Sequence, residues 1–298
     1  MLSLRRVGAR DNFCSLVDEI GEGKMKRYRI LSFDFDSRAI DLEPIPEEWE
    51  ENVQKQHIEN QEKIIVRLKV QYGEVNFQSK LNNFIELKQK PFSISAFHNK
   101  FLNQIRNSYV IGSYYPALTG ACALGERILN HMILLLRDYH KDSPEFRKVY
   151  RKDSFDNWEL AISTLESWQE LLPEAIVKFR ALHQKRNFAI HFNPETDHND
   201  KDLALEAIHL IQDIVSVQFS SFGAQPWYFC VPGEIYIKKD WEDKPFVKHV
   251  ILPNTLLVGY KHFIETMSPN IIVNDQFEYE DKNITDKEFY RLREMETE

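Results

Sequence analysis

The stretch PALTGACALGERILNHMILL, residues 116–135, decides the fold class of this chain. Its first residue, Pro116, suits the first turn of an α-helix, where the missing N–H of proline costs no hydrogen bond. The apolar side chains that follow recur at helical spacing, at Leu118, Cys122, Leu124, Ile128, Leu129, Met132 and Leu135. The stretch therefore predicts a buried helix, and the sequence beyond it predicts more helices of the same kind.

Three further helices are predicted from their caps and apolar periodicity. Asp153 or Ser154 can cap the first, and Pro173 begins the second. Pro194 ends the second, because the residue before a proline avoids the α region, and the third ends before Gly223. Their apolar faces are Trp158, Ile162, Leu165 and Trp168; Ile176, Phe179, Leu182 and Ile190; and Leu205, Ile208, Ile211, Val215 and Phe219.

Four antiparallel helices with short connections predict an up-and-down bundle over residues 96–222. The flanks, residues 1–95 and 223–298, read as a mixed α/β segment and a small antiparallel β-unit. Their predicted strands are 28–35, 227–231, 234–238 and 247–252, and their predicted helices are a charged run over 47–70 and a short one at the C-terminus. The expected fold class is α+β in three segments.

Composition narrows the possible functions. The 298 residues are 43% hydrophobic and carry a net charge of −8, which disfavours both a disordered chain and a general nucleic-acid coat. The acidic excess lies mostly in residues 223–298, so a local basic site in the bundle remains possible. Three widely spaced cysteines predict neither a disulfide framework nor a zinc site. No segment looks like a signal peptide or a membrane span, and we expect a cytoplasmic protein.

The candidate catalytic motif is Lys185-Arg186-Asn187-Phe188-Ala189-Ile190-His191, at the end of the third predicted bundle helix. Arginine offers a fixed fork of donors to phosphate oxygens, and histidine exchanges protons near neutral pH. Asn187 and His191 are four residues apart and share a helix face. Arg186 lies about 140° around the helix from His191, so its long side chain must curl toward the site or serve a partner subunit.

With these residues the chain resembles the HEPN superfamily of helical domains, found in prokaryotic toxins and phage-defence ribonucleases. The resemblance covers residues 96–222 and rests on the helix start from Tyr114 to Arg127 together with the Arg-Asn-x-x-x-His helix end. It implies RNA cleavage by a homodimer or higher oligomer without metal or cofactor, with both motifs lining one cleft. It assigns catalysis to Arg186, Asn187 and His191, with Glu126 as a polar supporter. We expect 2′,3′-cyclic phosphate and 5′-hydroxyl ends, because RNA carries its own nucleophile in the 2′-hydroxyl.

A basic run lies between the first two predicted bundle helices and is a candidate for RNA binding. Beside Tyr150, which can stack a base, it contains Arg147, Lys148, Arg151 and Lys152. Lys185, directly before the catalytic motif, is a further candidate. A solvated loop is the simpler interpretation of such a charge run.

One other interpretation stays open, and a second is rejected. A Lys-Arg-Asn run at a helix end also suits a solvated surface near the negative end of the helix dipole, so the bundle can instead be a non-catalytic binding or oligomerisation module in a multi-protein complex. A regulatory protein partner is compatible with either function. The run Phe33-Asp34-Phe35-Asp36-Ser37 resembles the nucleophile strand of haloacid-dehalogenase phosphatases. It lacks the following Gly-Thr and a long α/β domain, so we interpret it as a strand with two outward carboxylates.

Overall fold

The computed structural model describes residues 26–30, 34–190, 196–219, 226–231, 234–266, 272–274, 277 and 284–297. Its α-helices are α1 (Arg38–Asp41), α2 (Glu51–Tyr72), α3 (Phe77–Glu86), α4 (Ala96–Val110), α5 (Tyr114–Leu136), α6 (Phe146–Val149), α7 (Trp158–Ser167), α8 (Pro173–Ile190), α9 (Thr196–Phe219) and α10 (Asp286–Thr297). Its strands are β1 (Lys26–Ile30), β2 (Asp34–Asp36), β3 (Lys90–Ser93), β4 (Tyr228–Val231), β5 (Glu234–Ile237), β6 (Thr255–Gly259), β7 (Phe263–Thr266) and β8 (Ile272–Asn274). The predicted α+β class is confirmed.

The contacts divide the chain into two units, residues 33–220 and residues 1–32 with 221–298. This grouping differs from the three predicted segments, because β1 pairs with strands that follow it by some two hundred residues. Within the described residues, no helix is long and apolar enough to cross a membrane.

In the unit of residues 33–220, α5 is the central helix and packs against α4, α7, α8 and α9. Its buried side chains include the predicted apolar positions from Leu118 to Met132. The predicted Leu135 is 44% exposed, and Leu136 is buried in its place. Pro116 lies in its first turn, as predicted, and α8 begins at Pro173, also as predicted. The predicted set of four helices omitted α4, which packs on α5 beside them.

Gly125 lets α7 and α8 approach α5 closely. A Cβ atom at this position would lie 2.6 Å from Leu182 and 2.8 Å from the ring of Trp158, closer than real Cβ contacts allow. The cap of α7 is Asn157, whose side chain accepts a 2.9 Å hydrogen bond from the backbone N–H of Leu160. The prediction of Asp153 or Ser154 as the cap was therefore wrong by three or four residues.

The second unit contains a four-stranded antiparallel sheet in the order β4-β5-β1-β6. Strand β1 is internal, with Arg29 opposite Tyr236 on one side and Arg27 opposite Val258 on the other. Both arginines are buried, and ion pairs with Glu242, Asp286 and Glu234 compensate their charges. The sheet core is Val231, Tyr236, Val258, Ile284 and Phe289.

Two strand predictions need correction. The predicted strand over 28–35 covers parts of β1 and β2, which belong to different units, and residues 31–33 lie outside the described residues. The predicted strand over 247–252 is a π-helix, Val247–Ile251, and a 3-10 turn, Leu252–Asn254. Val247 and Ile251 are four residues apart and both buried, so the apolar run buries one helical face, and Pro253 disfavours a strand within the turn.

Candidate functional site

Arg186 lies near the C-terminal end of α8 and reaches toward α5. Its guanidinium Nη2 lies 3.7 Å from Oε2 of Glu126, and the side chains are 21% and 36% exposed. Its Nε is buried without a hydrogen-bond partner among the described residues. The ion pair is thus long, and the guanidinium keeps donor capacity that the fold does not use.

The carboxylate of Glu126 is also held by α7. Trp158 is 1% exposed, and its indole Nε1–H donates a 2.9 Å hydrogen bond to Oε2 of Glu126. Because a buried indole needs an acceptor for its N–H, this bond satisfies Trp158 and also fixes the Glu126 carboxylate beside Arg186. Arg186 and Glu126, which the resemblance selected, are therefore adjacent in the fold.

The charge of Arg186 also reaches the Cys122 thiol, one turn before Glu126 on α5. Burial raises the pKa of Cys122 to about 12, and the positive charge of Arg186 opposes this shift only in part. The thiol is therefore protonated at neutral pH and acts as a small apolar group. Arg186 accordingly lies against the face of α5 that carries Cys122 and Glu126.

His183 is a neighbour that the sequence motif did not identify. It precedes Arg186 by three residues, one helical turn, and its ring stacks on Trp158 with centroids 5.4 Å apart and planes 10° apart. Burial lowers its pKa, the charge of Arg186 lowers it further, and Glu159 opposes the shift. At neutral pH the imidazole is therefore mostly uncharged and can accept a proton. The i, i+3 spacing from Arg186 was the only signal in the sequence.

The remaining motif residues are placed differently. Asn187 is exposed, about 100° around α8 from Arg186, so it does not share the face that contacts α5. His191 lies outside the described residues. Lys185 forms an ion pair with Glu206 on α9 and is 28% exposed. Of the predicted catalytic residues, the structure thus brings Arg186 and Glu126 together.

The predicted RNA-binding run forms α6 and the turn after it, and its four cationic residues are exposed. The guanidinium of Arg151 lies 4.9 Å from the ring centre of Tyr150. Arg137, at the end of α5, anchors the turn by donating a 2.6 Å hydrogen bond to the carbonyl of Lys152. Arg137 follows Glu126 by eleven residues, about 16 Å of helix, so the run is anchored well away from the Arg186 pair.

The site therefore offers a guanidinium, a carboxylate and a neutral imidazole, held around one buried indole. Within the described residues, no three His, Cys, Asp or Glu side chains are grouped so that they could hold a metal ion. Comparison of the chain with protein-family models, with curated proteins and with solved structures finds no match.

Proposed function

We propose that this protein is a metal-independent endoribonuclease that cleaves RNA by attack of the 2′-hydroxyl on the adjacent phosphate. The observation that carries the proposal is the Arg186 guanidinium, whose one ion pair among the described residues spans 3.7 Å and whose buried Nε has no hydrogen-bond partner among them. It lies near the end of α8, five residues before His191. A helix end with an available guanidinium and a following histidine suits phosphodiester chemistry.

Each group has a distinct role in this reaction. Arg186 stabilises the charge that grows on the phosphate oxygens, as preorganised donors do in other active sites. His191 transfers protons between the 2′-hydroxyl and the 5′-leaving oxygen. Glu126, fixed by Trp158, is a positioning residue for Arg186. Asn187, exposed on the neighbouring face, orients the substrate or His191.

The resemblance to HEPN domains extends the proposal to biology and assembly. In that family two copies place their motifs along one cleft, so we propose a homodimer or larger oligomer. The protein would act as a toxin or antiphage-defence effector in the cytoplasm, and a regulatory partner would keep it inactive. The exposed run from Arg147 to Lys152 would bind RNA phosphates, and Tyr150 would stack one base.

The competing proposal is a non-catalytic binding or oligomerisation module. One observation favours it: Lys185 on the same helix is bound in an ordinary surface ion pair with Glu206, and the Arg186–Glu126 pair resembles it in exposure. In that case Arg186 and Glu126 stabilise the packing of α8 on α5 and take no part in chemistry.

Cleavage of RNA in excess EDTA separates these proposals. We expect wild-type protein to cleave labelled RNA, and His191→Ala to lose at least about 100-fold in rate, because general acid–base groups contribute on this scale. His198→Ala is the matched control, since His198 is an exposed histidine of α9 and should cleave like wild type. Equal cleavage by wild type and His191→Ala would refute the assignment.

A further inference from the structure

A second polar site lies in the unit of residues 33–220, around the Asp34-x-Asp36 strand that the catalytic proposal leaves unexplained. A cavity of about 270 Å³ opens among β2, α1, α2 and α4. Its polar lining includes Asp36, Arg38, Tyr72, Asn103, Arg106 and Asn107. Three of these, at positions 103, 106 and 107, follow the i, i+3, i+4 spacing that puts side chains on one face of α4.

Arg106 is the buried cation of this cavity, with only 4% of its surface exposed. It donates hydrogen bonds to the carbonyls of Leu87 at 3.2 Å and Lys88 at 2.9 Å, and to the side-chain carbonyl of Gln212. All three acceptors are neutral, and none of the ion pairs among the described residues includes Arg106. Burial of this charge lowers the pKa of Arg106 to about 10, and the charge of Asp36 opposes this shift only in part, so Arg106 stays protonated at neutral pH.

The nearby carboxylates are committed to other cations. Asp36 accepts two hydrogen bonds from the guanidinium of Arg38, at 3.0 and 2.8 Å, and one from its backbone N–H at 3.1 Å. Asp34 pairs with Lys90, which is 3% exposed, and accepts a 3.0 Å bond from Asn103. The cluster thus has three cations and two carboxylates, and its one net positive charge falls on the buried guanidinium.

Neutral donors at the rim complete the site. The hydroxyl of Tyr72 donates a 2.8 Å hydrogen bond to the side-chain oxygen of Asn107. Asn107 lines the cavity, and its amide nitrogen carries two further N–H donors. Phe84 and Leu87 also line the cavity, and Phe84 lies 5.2 Å below the guanidinium of Arg38. The cavity offers a charged end and a small apolar surface.

We propose that this cavity binds a small molecule through a singly charged oxyanion, either a phosphodiester or a carboxylate. A single negative charge would neutralise the buried excess, whereas a neutral ligand would leave it uncompensated. Guanidinium and amide groups bind such planar or tetrahedral oxyanions well. The cavity is near the lower end of the volume range of ligand pockets, which suits a small molecule rather than a polymer.

Thermal melting with two minimal anions tests this proposal on the full chain. Dimethyl phosphate represents the phosphodiester and acetate the carboxylate, and sodium chloride keeps the ionic strength constant. We expect at least one of them to raise Tm saturably, because a ligand that binds only the folded state stabilises it. The probe that acts identifies the chemical source of the anion.

Substitutions test whether the rise in Tm depends on the cavity. Arg106→Gln should weaken the binding of the active probe about tenfold or more, as expected for the loss of a charged hydrogen bond. Arg38→Gln, on a half-buried residue at the mouth, should weaken it similarly and covers the case in which the Arg106 variant fails to fold. Arg180→Gln, on an exposed arginine of α8, is the control and should bind like wild type.

Two results would overturn the proposal. The first is that neither anion raises the Tm of the wild type above its value in the chloride control. The second is that the active anion raises the Tm of the folded Arg38→Gln protein as much as that of the wild type, because this would show a general salt effect. The test does not involve Arg186 or RNA, so its outcome is independent of the proposed ribonuclease activity.

Discussion

Arg186→Ala is expected to cleave RNA about 10²- to 10³-fold more slowly than wild type, the usual effect of removing one preorganised donor to a developing oxyanion. The side chain is only partly buried and its contact with Glu126 is long, so the fold should survive the change. Single-turnover cleavage in excess EDTA measures the rate, and circular dichroism reports the fold. Arg186→Lys should stay impaired, since an ammonium lacks the two-pronged fork of arginine.

Arg180→Ala is the matched control for this prediction. Arg180 lies on the same helix, is 42% exposed, and pairs with Glu159 at 3.2 Å and Glu166 at 2.7 Å. Its loss removes one arginine and none of the groups assigned a role in cleavage, so the cleavage rate should stay near that of wild type. An Arg186→Ala protein as active as the Arg180 control would contradict the assigned role.

Trp158→Ala is expected to lower the free energy of unfolding by about 3–5 kcal/mol, the range for truncating a buried aromatic side chain. Trp158 is 1% exposed, packs against Gly125, and supports both the ring of His183 and the carboxylate of Glu126. Urea denaturation followed by circular dichroism measures the change.

Two variants calibrate this prediction. Trp158→Phe keeps most of the ring and removes the Nε1–H donor, so it should lose less stability than the alanine variant. Trp49→Ala changes a tryptophan that is 39% exposed and should lose much less. If Trp158→Ala and Trp49→Ala lost similar amounts, the central position of Trp158 in the packing of α5, α7 and α8 would be refuted.

Helices such as α5 and α8 were predictable from the sequence, because the spacing of apolar residues that defines each of them lies within a single short segment. The period of Leu118 to Met132 predicted α5, and Pro173 marked the start of α8. Strand β1 was not assigned to its sheet, because its partners at Tyr236 and Val258 are remote in sequence and pairing leaves no local signal. The run at 247–252 is apolar and short, and for such a run periodicity does not separate strand from helix.

The candidate functional site was also predictable only in part. Arg186 and Glu126 were selected by resemblance, and the 3.7 Å contact between them connects two helices sixty residues apart. The bond from Trp158 to Glu126 and the stacking of His183 depend on how α7 packs on α5, which a linear pattern does not encode. Arg106 and Asp36 likewise come together only through the packing of β2 against α4.

Cleavage of a ribonucleotide substrate and its 2′-deoxy counterpart in excess EDTA tests the central claim most directly. After a cut site is mapped in natural RNA, two oligonucleotides are compared that differ only in the 2′-hydroxyl at that site. The account predicts that the RNA is cut to a 2′,3′-cyclic phosphate and a 5′-hydroxyl, while the deoxy-substituted strand stays intact, because the nucleophile is missing. Cleavage of both strands at equal rates, or ends without a cyclic phosphate, would contradict it.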